Sequence, residues 1–326
     1  MLNLPVTSRR MSPLRIGAGI AGLVLSPHAA MAHSNGSVPV TPNDLWFAWN
    51  LDPWLLVPLL LGHWLYGRGM IRLWGRAGLG RGISVVRVMS FAAGELALAV
   101  ALISPLDALG ETLLSAHMLQ HGLLIAVAPP LLLLGWPGAA FAWSLTARSR
   151  RRLARSPLAQ TSLRRLSWML NPLVAAAIHG LIVWIWHVPV IFDAALASRG
   201  LHMLEHFSFL ATALLFWQSL ILASRSISTA AVGVVAAFAT MFHGGFLGAL
   251  ITFAPQVVFN WYVGRTSSWG LDPLADQQLA GLIMWVPLGI VYFAASLTLA
   301  ARLIPAPRLA PKDRACFEEP RIARVS

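Results

Sequence analysis

The chain has 326 residues, 57% of them hydrophobic and only 11% charged, with a formal net charge of +12. Soluble domains carry about 25% charged residues, so this composition excludes a chain that covers its own surface with polar groups. The single cysteine, Cys316, excludes an intramolecular disulfide and any metal site built from several thiolates, which leaves His, Met, Asp and Glu as ligands.

Residues 1–32 read as a signal peptide. Arg9, Arg10 and Arg15 form a basic region, Ile16 to Leu25 a short apolar stretch, and Ala30-Met31-Ala32 a small-residue cleavage pattern. Cleavage there leaves His33 at the head of a periplasmic segment, 33–52, where an amine and an imidazole can chelate. An accident of the cleavage site is the favoured explanation of that position.

Residues 53–303 carry seven apolar runs of the roughly 20 residues that cross a bilayer as a helix. They run Pro53 to Leu73, Val85 to Ile103, Glu111 to Leu134, Pro172 to Asp193, Gly200 to Leu222, Thr229 to Phe253 and Gln277 to Leu303. The helix is the natural spanning form, because its backbone groups satisfy one another inside lipid. The expected fold is therefore all-α, a polytopic membrane bundle of about seven transmembrane helices. One connection, Gly135 to Asn171, is long and rich in arginine and serine. Another, Pro255 to Asp276, carries Trp261, Tyr262 and Trp269, which suit a membrane interface. Residues 304–326 form a basic tail.

The basic residues sort to one side. Nineteen of the 24 fall in the connections after the first, third and fifth runs, at their ends, and in the tail, while only Arg199 and Arg265 fall opposite. The positive-inside rule then places the C-terminus in the cytoplasm of a bacterial inner membrane and the mature N-terminus in the periplasm. The positive charge is a topology signal. The loops lack the interleaved aromatics or the fold of a nucleic-acid binder, and no nucleic acid is expected as a partner beside the lipid bilayer.

Histidines recur at one depth. The third run contains His117-Met118-Leu119-Gln120-His121 and the fifth His202-Met203-Leu204-Glu205-His206. Histidines four apart share a helix face, about 6 Å apart along the axis, so two imidazoles can reach one ion. His187, His243 and His63 join them, all within roughly 15 Å of the outer membrane face. A single histidine in a membrane is often an interhelical hydrogen-bonder, but two such pairs at matching depth favour a metal site. We rank His117, His121, His202 and His206 first, His187 and His243 next and His63 last. His179 lies about 12 Å deeper than His187 and is read as packing. Imidazole suits copper, zinc, iron and nickel, and thioether adds a preference for Cu(I), with Met118, Met203, Met241 and Met284 nearby. Glu95, inside the second run, neutralises a cation, carries a proton or packs. No nucleophile triad, phosphate loop or paired catalytic carboxylate stands out, and no enzyme activity is expected.

The stretch His117 to His121 continuing to Ala128-Pro129-Pro130-Leu131 resembles a signature of the CtaG family of multi-span cytochrome c oxidase assembly factors. His202 to Trp217, with Glu205, His206 and Phe216-Trp217, is similar to a second. Asp276-Gln277-Gln278-Leu279-Ala280-Gly281, running to Met284-Trp285-Val286-Pro287, is similar to a third, and Ser104-Pro105-Leu106-Asp107 also fits. The likeness covers roughly Trp54 to Leu303. It implies a membrane assembly factor for haem–copper oxidases that acts at a copper-handling step. On this reading the seven histidines hold copper, as Cu(I), and deliver it to an oxidase subunit, with oxidase subunits and periplasmic copper chaperones as partners. Two other classes compete: a haem-binding electron-transfer protein, which needs one axial histidine from each of two facing helices, and a copper transport or resistance permease, which needs a midplane site open to both sides.

Overall fold

The computed structural model describes residues 38–304. The signal region, His33, Cys316 and the basic tail after Ile304 lie outside the described residues. Among the described residues the chain is a bundle of helices with no strand. The helices are α1 (Pro53–Ala77), α2 (Val85–Leu102), α3 (Leu106–Gly110), α4 (Leu114–Gly122), α5 (Ala128–Leu134), α6 (Pro137–Ser144), α7 (Ala147–Arg155), α8 (Pro157–Leu166), α9 (Pro172–Trp186), α10 (Pro189–Ala197), α11 (Arg199–Ala223), α12 (Ile227–Thr252) and α13 (Pro273–Ala300).

Five helical stretches are long and apolar enough to cross a membrane: α2, α4 through α5, α11, α12 and α13 with its last turn. The bent pair α9–α10 makes a sixth. Such segments span because they bury their own backbone polarity. The remaining expected span, α1, is a continuous helix of 25 residues, but His63, Arg68, Arg72 and Arg76 dilute its apolar character. Large apolar side chains such as Val86, Phe242 and Ile290 stand exposed on the outer faces of the spans, where lipid is the natural solvent.

Two departures from regular helix have causes in the sequence. The expected single span over Pro172 to Asp193 is broken, and α9 and α10 meet at 74°. Pro189 cannot donate an amide and forces Val188 out of the helical region, to φ −68° and ψ 124°, so α9 ends with His187 as its C-cap. In the third span, Pro129 and Pro130 offer no amide to the carbonyls four residues earlier. The chain passes through a π turn at Leu123–Val127, and the open Ile125 carbonyl accepts the Trp217 Nε1–H of α11 at 2.8 Å. The proline pair thereby ties α4–α5 to α11.

Polar ties set the depth of α4. Its N-cap, Leu113, has no capping side chain. Asp276 of α13, fully buried, supplies the cap from a distance of some 160 residues. It accepts the Leu114 amide at 2.6 Å, the Ser115 amide at 3.3 Å and the Ser115 hydroxyl at 2.5 Å. A carboxylate there also meets the positive end of the helix dipole. On the other side, Gln120 Nε2 donates to Asp107 at 2.7 Å and to the Ala101 carbonyl at 2.8 Å, while Asn50 Nδ2 donates to the second Asp107 oxygen at 2.8 Å. Next to Asp276, Gln277 pins the outer loop: its Oε1 accepts the Val258 amide at 2.7 Å and its Nε2 donates to the Gln256 carbonyl at 3.1 Å. Gly281 lets α13 lie directly on α12. A Cβ there would stand 2.6 Å from the Gly248 carbonyl oxygen.

Asp276→Ala leaves three buried donors at the head of α4 without an acceptor, at a cost of about 1–3 kcal/mol each if none relaxes. Reversible unfolding in detergent is expected to show a clear loss of stability, and Asp276→Asn a smaller one. A reporter that is active only in the cytoplasm is expected to work when fused after Ala154, at the arginine-rich α7. Activity there of a reporter that works only in the periplasm would reverse the orientation.

Candidate metal centre

Helices α4 and α11 bring the two histidine pairs face to face across the space between them. Within each pair the ring centroids are 4.2 Å apart. Across the helices His117 faces His202 at 5.4 Å and His121 faces His206 at 5.5 Å. His187, at the break between α9 and α10, closes the inner side with its ring 6.0 Å from His121. The i, i+4 spacing read from the sequence thus becomes a four-cornered arrangement with a fifth imidazole beside it.

Glu205 sits among the rings. Its carboxylate is fully buried, 3.5 Å from His121 Nε2 and 4.0 Å from His117 Nε2. One ligand atom each from His117, His202, Glu205 and His206 fall within 4.8 Å of one another. A tetrahedral ion with bonds of about 2.0–2.1 Å wants its donors about 3.3 Å apart, so modest side-chain rotations close the set.

The donors have few other obligations among the described residues. Both nitrogens of His117 and His121, both oxygens of Glu205, and Nε2 of His187, His202 and His206 are buried without a hydrogen-bond partner. Such groups are rare in folded proteins, because each forfeits its hydration with no return. His187 shows which way its ring is set. Its Nδ1 lies 2.7 Å from the Val183 carbonyl, which can only accept, so Nδ1 carries the proton and Nε2 keeps its lone pair. A hydrogen bond from the far nitrogen to a carbonyl is the usual support of a metal-bound imidazole. Apolar rings wall the group: Phe192 is 5.1 Å from His117, and Phe209 is 4.7 Å from His121.

Five of the seven ranked histidines therefore come together, and two do not. His243 turns toward α9, where Trp184 Nε1 donates to its Nδ1 at 3.4 Å and Gly180 makes room for its ring. His63 is largely exposed on α1 and pairs with Glu95 of α2 at 2.8 Å. His179 is engaged as packing polarity, with Nδ1 3.0 Å from Thr212 Oγ1 and Nε2 3.5 Å from the Tyr292 hydroxyl. Glu205 was legible only as part of a motif and of an acidic outer side. A carboxylate inside an apolar span, one residue from a histidine, was the signal that marks it as a member of the site.

Glu205→Gln keeps the shape and removes the charge. It is expected to leave the thermal midpoint of the metal-free protein at or above the wild-type value, since a buried unpaired carboxylate is costly. The rise in midpoint on adding Cu(I) is expected to shrink. Thermal unfolding with and without the ion reads both.

A family model described as cytochrome c oxidase caa3 assembly factor (Caa3_CtaG) matches residues 64–305, which includes every histidine of the cluster. No curated protein and no solved structure matches the chain. The matched region covers well over half of the sequence, and the chain belongs to the CtaG family of cytochrome c oxidase caa3 assembly factors.

Proposed function

We propose that this assembly factor binds copper, as Cu(I), between α4 and α11 and hands it to an oxidase subunit. The observation that carries the reading is the buried group of five imidazoles and one carboxylate whose donor atoms have no other partner among the described residues. Imidazole holds copper well, and the surrounding phenyl rings keep water from competing for the ion. The carboxylate offsets the positive charge of a bound cation in a medium where an isolated charge is expensive. Transfer is ligand exchange: with more donors than a four-coordinate ion needs, one imidazole leaves while a partner's ligand arrives, and the ion is never bare.

The chain is taken to sit in a bacterial inner membrane with the cluster toward the periplasm, as the arginine distribution requires. Oxidase subunits are the partners, and periplasmic copper chaperones the donors. The role is delivery rather than catalysis. The haem alternative is less well supported, because rings 4.2 to 6.1 Å apart, with Phe192 and Phe209 against them, leave no slot for a macrocycle between two axial histidines of the cluster.

His117→Ala and His206→Ala are expected to lose copper and oxidase maturation while the protein still inserts and folds. His179→Ala is expected to lose neither. Elemental analysis of the purified variants and oxidase activity at limiting copper measure the two effects. Full copper retention in a well-expressed His117→Ala/His206→Ala double variant would sink the copper reading, and mere loss of yield would return these histidines to a packing role.

A further inference from the structure

The direct path from the outer surface to the histidines is plugged. Phe192, Phe259 and Tyr262 are fully buried above the cluster, with ring centroids of 4.4 Å for the first two and 6.2 Å for Phe192 and Tyr262. The outer loop that carries this plug is fastened at several points. Tyr262 donates its hydroxyl to the Gly110 carbonyl at 2.8 Å, Trp261 Nε1 donates to the Glu111 carbonyl at 3.0 Å, and Gln277 holds the loop from α13. Moving it breaks several buried hydrogen bonds at once.

The flank is different. A cavity of about 870 Å³ lies between α1, α2, α5 and α11, and His202 and His206 form part of its wall. Of the five clustered histidines, four are buried, and His202 alone is half-buried. At the outer end the lining includes Asp52, Asp107 and Glu111 against one Arg199. Asp52 is paired with Arg199, and Asp107 holds Asn50 and Gln120, so these carboxylates are fixed in place. Their summed field is negative and draws cations toward that end. Below it the walls are apolar, through Leu55, Leu98 and Leu102 among others.

We infer that Cu(I) reaches and leaves the cluster sideways, through this cavity, with His202 the first ligand on arrival and the last on departure. The inference rests on the copper reading above and deepens it by naming the route and the gate residue. His206 shares the wall and takes the ion next. His117, His121 and Glu205 lie behind them and complete the coordination. The proposal involves only exchange of donor atoms, with no change in the ion's charge.

The test uses the full-length protein in detergent, loaded with Cu(I), and follows release to an excess of a chromogenic Cu(I) chelator. Leu55→Trp and Leu102→Trp fill the cavity from α1 and from α2, so either one, if folded, narrows the route. Each is expected to retain the wild-type copper content and to slow release by about tenfold, a change that needs only about 1.4 kcal/mol of added barrier. Phe259→Ala thins the plug and is expected to leave the rate unchanged. Faster release from Phe259→Ala, with unchanged rates in both tryptophan variants, would overturn the lateral route in favour of the outer surface. Wild-type protein that takes up no Cu(I) would instead remove the copper reading itself, and the route with it.

Discussion

A polar atom inside a bilayer must find a partner in the protein, because no water is there to serve it. Almost all of this bundle obeys that rule, and the histidine cluster does not. The Nε2 atoms of its five imidazoles and both Glu205 oxygens are buried together without hydrogen bonds among the described residues. Left to themselves such groups would rotate apart, admit water, or pull their helices out of register. That they remain aimed at one point reflects the hydrogen-bonded ties around them. Asp276 fixes the head of α4, Gln120 and Asp107 fix its flank, and Trp217 fixes its lower end through the carbonyl that the proline pair leaves open. The rigid surroundings carry the cost of a site that is at rest only when something else completes it.

The family motifs divide along the same line. In the stretch His117 to His121, the two histidines point into the cluster while Gln120 points away and anchors the helix. The proline pair that follows creates an acceptor rather than a contact. In the second motif His202, Glu205 and His206 are candidate ligands, and Trp217, three turns further on, donates the tie to the Ile125 carbonyl. The third motif holds no member of the cluster: Asp276 is a cap, Gln277 a loop clamp and Gly281 a point of close helix approach. A motif is thus not a list of ligands, since some of its residues hold the others still.

The fold was legible because composition and run length decide what can cross a bilayer, and both are properties of one segment at a time. The HxxxH pairs were legible for a similar reason: their spacing places both rings on one face whatever the neighbours do. Depth could be counted at 1.5 Å per residue, and His179, placed deeper by that count, contacts Thr212 and Tyr292 and not the cluster. Rotation about the helix axis could not be counted, since it depends on which helices pack together. His63 turns toward Glu95, and His243 reaches Gly180, about 10 Å below His187 on α9, so it misses the cluster in depth as well as in rotation. Asp276 was out of reach for a related reason, as nothing local in α13 tells of a helix end so far away in the chain. The break at Pro189 was written in the sequence, but a continuous apolar run on either side of it concealed the turn.

That break has a consequence for the lipid. With 15 residues, α9 rises about 22 Å, well short of the roughly 30 Å of hydrocarbon, whereas the 26 residues of α12 rise about 39 Å. Leu173, Leu181 and Ile185 on the exposed face of α9 meet acyl chains over that shorter height. The hydrophobic belt of the protein is therefore uneven, low where α9 faces outward and tall where α12 does. Lipids beside α9 must compress or tilt, at a modest cost for each ångström of mismatch. Another membrane protein with an equally short flank would share the deformed patch and halve its perimeter. Bilayer elasticity alone would then favour their meeting on that side, with no specific contact required.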